Sequence, residues 1–144
     1  MPIEIKEYVP NQVLYSYYRG EISDTELFAM DRSVEDFLDR TTSPLEHMLT
    51  DVRDMIRPAG LSSLMKMKCG RHPKLGWVIL FGIRNPAIKF VLMAAASMFK
   101  VRIRHFNTFE ESIEFLQSVD GTLPDLNATE YRQNAKNIIS VGEN

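Results

Sequence analysis

A chain of 144 residues, 44% hydrophobic and 25% charged, has the length and balance of one globular domain. A domain of that size buries roughly 68–70% of its unfolded surface, enough for an independent core. A formal net charge of −2 excludes a polycation built as a whole for nucleic acid, and a single cysteine, Cys69, excludes an internal disulfide or a cysteine-built structural zinc site.

Ile3 and Ile5 alternate with Glu4 and Lys6, which predicts a short half-exposed strand. Pro10-Asn11 signals a turn, and Gln12 to Arg19 reads as a second strand paired with the first as a hairpin. Val13, Tyr15 and Tyr17 share one face of it, Leu14 and Tyr18 the other, and Gly20 ends it. Ser23-Asp24-Thr25-Glu26 forms a capping box ahead of Leu27, Met30, Val34, Phe37 and Leu38 at helical spacing, so a helix is expected from about Asp24 to Arg40. Ser43-Pro44 breaks it.

A third strand follows over roughly His47 to Arg53, then a short helix from Pro58-Ala59-Gly60 to about Lys68, with Gly70 in the left-handed position after it. Arg71 to Gly76 reads as a loop. Trp77 to Phe81 is continuously apolar, as a strand buried on both faces should be. Asn85-Pro86 starts a helix carrying Ile88, Val91, Leu92, Ala95, Met98 and Phe99. Val101 and Ile103 alternate with Arg102 and Arg104 as a fifth, short strand. Asn107 or Thr108 caps a last helix on Phe109, Ile113 and Leu116, closed by Gly121. Residues 1–121 are thus expected to form the domain and 122–144 a polar tail, in which Asn127 to Ile139 is either one more short helix or disordered.

The order β-β-α-β-α-β-α-β-α predicts an α/β fold, with a mostly parallel or mixed sheet of four to five strands, flanking helices and an antiparallel opening hairpin. The chain resembles a STAS-type (SpoIIAA-like) domain, the fold of bacterial anti-sigma-factor antagonists, over about residues 3 to 119. The stretches that carry the resemblance are Leu14 to Ile22 running into the capped helix, Met48 to Val52, Ala59-Gly60-Leu61, and Val101 to Phe106 running into Thr108 to Leu116. The family carries a phosphorylatable serine in an Asp-Ser-Ser-Gly-Leu sequence. Here the matching stretch is Arg57-Pro58-Ala59-Gly60-Leu61, so the acceptor position falls on Ala59, which has no hydroxyl. The preceding loop from Asp54 is also shorter than the family's. Ser62 and Ser63 lie downstream and match no motif position. The resemblance implies a regulatory protein-interaction module without its phospho-switch, acting on another protein or on itself as a homodimer.

Charge is unevenly laid out. Met1 to Asp54 carries a net −7, Met55 to His105 has ten basic residues and no acidic one, and the remainder carries −5. Folding can interleave these segments into an ordinary mixed surface with weak ion pairs. Alternatively, Arg53 and Arg57 after the third strand, with Arg84 and Asn85 after the fourth, stand at a carboxyl edge of the sheet, where α/β folds bind ligands and where two helix N-termini would lie. An anion or acidic partner is the expectation for such an edge. Lys66, Lys68, Arg71, His72 and Lys74 read as a solvated face. Met65, Met67, Met93 and Met98, with Phe90 and Phe99, are either ordinary core or an apolar groove suited to a lipid.

No catalytic motif, metal-ligand spacing or phosphate loop is present in the sequence, so no enzymatic activity, metal or cofactor is expected. His47, His72 and His105 are scattered, and a catalytic Cys69 would need one of them as a placed base. Nucleic acid is not expected as a partner, because no recognised motif accompanies the basic residues. Neither a signal-peptide core nor an apolar stretch of membrane length appears, and a reduced cytoplasmic location is the expectation.

Overall fold

A computed structural model describes residues 3–127 together with Tyr131 and Gln133. Strands β1 (Ile3–Val9) and β2 (Val13–Glu21) form the expected hairpin, with Asn11 at φ 62° in its turn. Helix α1 (Asp24–Arg40) leads to β3 (Glu46–Arg57), then the single turn α2 (Leu61–Met65). A 3-10 turn (Cys69–Arg71) precedes β4 (Leu75–Phe81), which is followed by α3 (Pro86–Phe99), β5 (Ile103–Phe106) and α4 (Phe109–Val119). The five strands lie side by side in the order β1-β2-β3-β4-β5. Only β1 runs antiparallel to its neighbour; the other pairings are parallel.

The caps explain where the helices start. The Ser23 hydroxyl accepts from the Glu26 amide at 3.2 Å while the Glu26 carboxylate accepts from the Ser23 amide at 3.1 Å. Asn85 accepts from the Ala87 amide at 2.9 Å with Pro86 at the first helical position, and Thr108 accepts from the Glu111 amide at 3.2 Å.

Two apolar layers sandwich the sheet. On one face, Leu27, Met30, Val34 and Leu38 of α1, Leu64 of α2 and Ala95 of α3 pack on Leu14, Met48, Val52 and Met55. On the other, Ile113 and Leu116 of α4 meet Val13, Tyr15, Tyr17, Leu49, Ile79 and Phe81, and the fully buried Leu126 extends this layer past the expected domain end at Gly121. The period-2 alternation of Leu14 and Tyr18 against Val13, Tyr15 and Tyr17 is what divides β2 between these layers. Tyr15 and Tyr17 therefore serve as core.

Three local expectations change. Strand β3 runs on to Arg57, because its last residues pair with Arg19, Gly20 and Glu21 of a β2 that is itself longer. The helix after it is one turn, and Gly70 sits in the 3-10 turn without a positive φ, since the Asp31 carboxylate from α1 caps that turn by accepting from the Lys68 and Cys69 amides. The left-handed cap falls instead on Lys100 after α3, at φ 57°. The helix expected from Asn127 onward lies mostly outside the described residues; Tyr131 is helical and its ring packs edge-on against Tyr8.

Candidate functional site

The carboxyl edge of β3 and the start of α3 enclose a shallow groove of about 380 Å³. It is lined by Ile56, Arg57, Pro58, Ala59, Gly60 and Leu61 on one side and by Asn85, Ala87, Ile88 and Val91 on the other. Two of the four residues expected at this edge, Arg57 and Asn85, thus come together, and Ala59, the position matching the family's phosphoacceptor, lines the same groove. The extended backbone from Pro58 to Gly60 places them, with Gly60 at φ −61° and ψ 155° acting as N-cap of α2. Ile56 is 68% exposed and Phe90, farther along α3, 75% exposed, so large apolar side chains stand in water along this side of the molecule.

The polar groups there are largely committed. Arg53 turns away from the groove: its Nε donates to Asp51 Oδ1 at 2.9 Å, its terminal nitrogen to Asp51 Oδ2 at 2.7 Å, and its guanidinium lies over the Phe81 ring. The hydrogen bond to Asp51 raises the Arg53 pKa further against the opposing effect of burial. Gly82, at φ +84°, lets this side chain pass, because a Cβ there would collide with Arg53 Cγ. Arg57 pairs with Glu21 at 3.0 Å, both exposed. Asn85 spends its side-chain oxygen on its own helix. Arg84 is exposed beside it. The second helix N-terminus expected to attract an anion belongs to the one-turn α2, whose dipole is correspondingly small. Ala59 is buried, Ser63 is buried inside α2, and Ser62 is exposed.

Beneath α3 lies a second space, a cavity of about 140 Å³ between that helix, α1 and the sheet. Met30, Met48, Met55 and Met67 line it with Leu92 and Phe99, among other apolar residues. Of the six groove residues expected from sequence, Met67 and Phe99 are there; Met65, Met93, Met98 and Phe90 are not, and Met98 and Phe90 face outward. The polar atoms at its wall belong to Tyr18, Thr50 and Cys69, and no Lys, Arg, His, Asp or Glu lines it. Burial, helped by Asp31, pushes the Cys69 thiol well above its ordinary range, so this cysteine is held as the neutral thiol.

The histidines are spent on structure. His47, which sequence reading left isolated, sits buried with Nε2 2.8 Å from Asp120 Oδ2 at the end of α4, and its Nδ1 accepts from the Trp77 amide at 2.9 Å. That pattern assigns the proton to Nε2. His72 joins Asp39 of α1 at 2.7 Å and accepts from the Lys74 amide at 3.1 Å. His105 accepts from the Ile83 amide at 3.3 Å, and burial depresses its pKa. Hydrogen-bond partners 73 and 33 residues apart leave no local signal in the sequence. Among the described residues no cluster of three or more His, Cys, Asp or Glu is arranged to hold a metal, and no helix is long and apolar enough to cross a membrane.

No protein-family model and no curated protein matches the chain. Solved structures do match in fold. An uncharacterised protein of the DUF3478 family with a SpoIIAA-like fold, from Shewanella loihica PV-4, superposes with a TM-score of 0.60 at 15% identity, over 79% of this chain and 93% of that one. The anti-sigma factor antagonist SpoIIAA in its unphosphorylated form gives 0.55 at 14% identity, over 80% and 97%. The Bacillus cell fate determinant SpoIIAA in the phosphorylated form gives 0.52 at 11%, over 79% and 98%. The resemblance drawn from sequence is therefore one of fold: a five-stranded mixed sheet with flanking helices in SpoIIAA-like order.

Proposed function

We propose that the chain is a non-catalytic regulatory module that docks a partner protein, or a second copy of itself, at the groove between the end of β3 and the start of α3. The observation that carries this reading is the groove itself, a concave surface flanked by exposed Ile56 and Leu61 and edged by Arg57, built from a stretch, Met55 to His105, that has ten basic residues, Arg84 and Lys89 among them, and no acidic one. Apolar anchors within a basic rim fit an acidic protein surface with an apolar side chain at its centre. The fold is that of SpoIIAA, described as an anti-sigma factor antagonist. Ala59 stands where the resemblance places the family's phosphoacceptor, so partner binding here would not be switched by a phosphate at that position. The fold's likeness and the absence of any membrane-length helix among the described residues support a location in the cytoplasm.

A photo-crosslinking residue placed at Leu61 tests this in cells. A discrete adduct is expected, lost on reversing charge with Arg57→Glu and Arg84→Glu together and absent when the probe sits at the exposed Lys6 of the edge strand β1. An adduct of twice the chain mass would identify the partner as a second copy. No adduct from position 61, or equal labelling from both positions, refutes the groove as an interface.

The cavity under α3 supports a second reading, a binder of a small apolar molecule or of a lipid tail. An apolar cavity of about 150 Å³ can stay dry and take up a benzene-sized guest. The absence of a charged group in its wall argues for an uncharged guest; an anionic head would have to lie outside, toward Arg71 or Lys100. Native mass spectrometry of freshly purified protein is expected to show extra mass that disappears on denaturation. Clean apo mass, together with no uptake of added indole, removes this reading and leaves the docking groove untouched.

A further inference from the structure

At the amino ends of the strands, away from groove and cavity, several connections are tied together by hydrogen bonds. The Thr41 hydroxyl donates to Asn11 O at 3.0 Å and the Thr42 amide to Asn11 Oδ1 at 3.3 Å. The His47 amide donates to Gln12 O and the Glu46 amide to Lys74 O, both at 2.8 Å, and the Lys74 ammonium donates to Thr41 O at 3.0 Å. Glu46 sits in the middle of this knot. It is 0% exposed, yet neither carboxyl oxygen finds a donor in hydrogen-bonding geometry. A buried orphan of this kind calls for an explanation.

The charged groups around it offer no compensation. Glu7 on β1 adds a second negative charge, and Lys74 is committed to Thr41 O. Arg40 at the end of α1 turns its Nε back to Asp36 O, while Asp39 is taken by His72. The neighbouring His47 belongs to the other face of the sheet, with Asp120. Among the described residues no ion pair reaches Glu46. A protonated carboxyl removes the difficulty. It needs no counter-charge, and its O–H has an acceptor in the Thr41 hydroxyl oxygen, whose own proton already points to Asn11 O.

We propose that Glu46 is a proton-operated latch, whose protonated carboxyl clasps the β1–β2 turn, the end of α1 and the start of β3 together, and whose ionisation releases them locally. Burial first, and the Glu7 charge second, push Glu46 up to about 7. The folded carboxyl therefore holds its proton more tightly than the open one. Its contribution to closure is complete below the ordinary value of 4.5 and is lost as pH rises through about 7.

Native-state hydrogen exchange tests this. After correction for intrinsic rates, protection of the Thr42 and His47 amides should fall by up to tenfold per pH unit between about pH 4.5 and pH 7 and level off above, while amides at the centre of β3 change far less. In Glu46→Gln the profile should be flat, and in Glu7→Gln its midpoint should move to lower pH. Constant wild-type protection between about pH 4.5 and pH 7, or a fall that survives in Glu46→Gln, overturns the latch. Should Glu46→Gln fail to fold, Glu7→Gln decides, because an unmoved midpoint overturns it too.

Discussion

Replacing Asp51 with alanine is expected to be among the most damaging single changes in the molecule, costing about 3 kcal/mol and lowering Tm by roughly 10 °C. Asp51 has no exposed surface and supports two other groups at once. Its Oδ2 accepts from the Tyr15 hydroxyl at 2.6 Å and from Arg53 at 2.7 Å, and its Oδ1 accepts from the Arg53 amide at 3.1 Å and side chain at 2.9 Å. Truncation strands a buried phenol and leaves the Arg53 guanidinium, 30% exposed, without its counter-charge. Burial is the main cause of the raised Tyr15 pKa, with the adjacent Asp51 carboxylate second, so the phenol cannot relieve the site by ionising. Urea titration followed by the fluorescence of Trp77 measures the loss. Tyr15→Phe should cost less than Asp51→Ala, and the double variant less than the sum, because both remove the same hydrogen bond. Strict additivity would show that the pair does not act as a unit.

The second large effect is expected at Gly76. A Cβ there would fall within the contact distance of His47 Nδ1 and Cε1. The imidazole cannot step aside, since it is held at one nitrogen by Asp120 and at the other by the Trp77 amide. Gly76→Ala should therefore cost about 2–4 kcal/mol by overpacking and by loss of the His47–Asp120 link that ties the end of α4 to β3. Gly60→Ala is the control. A Cβ at Gly60 meets nothing within 4 Å and its φ is −61°, so the change should stay within about 0.5 kcal/mol of neutral. Thermal unfolding of the two variants side by side checks the contrast; similar Tm values would mean that the imidazole has freedom to move.

These two sites also mark the limit of what the sequence discloses. Element order, helix starts and the division of β2 between two faces follow from local rules: Ser23 with Glu26, Asn85 before Pro86, Thr108, and the alternation of Leu14 with Tyr15. Each depends on residues within four positions of one another. The carboxyl edge was legible as a place, because loops after parallel strands must gather there, and Arg57, Ala59 and Asn85 do meet in one groove. What each side chain does there was not legible. Arg53 reads as a free cation until its neighbour two residues back, on the same strand and fully buried, accepts from its Nε and one terminal nitrogen. His47 finds Asp120 only after the sheet and α4 have formed. The methionines lining the cavity could not be sorted from those in solvent, because small differences in helix rotation and strand register decide which way each one points. The burial of Glu46 is hidden for the same reason, since a glutamate at the start of a strand ordinarily lies in water.

The sheet has its strands in the same order in space as in the chain. Each strand after β1 pairs with the one made just before it, and none has to be threaded between two that are already joined. Closure of every pairing spans one connection only, which keeps the loop-entropy cost of each step small. Such a sheet can grow at a single advancing edge as the polypeptide leaves the ribosome, with the β1–β2 hairpin as the seed and the four-residue β5 as the last strand laid down.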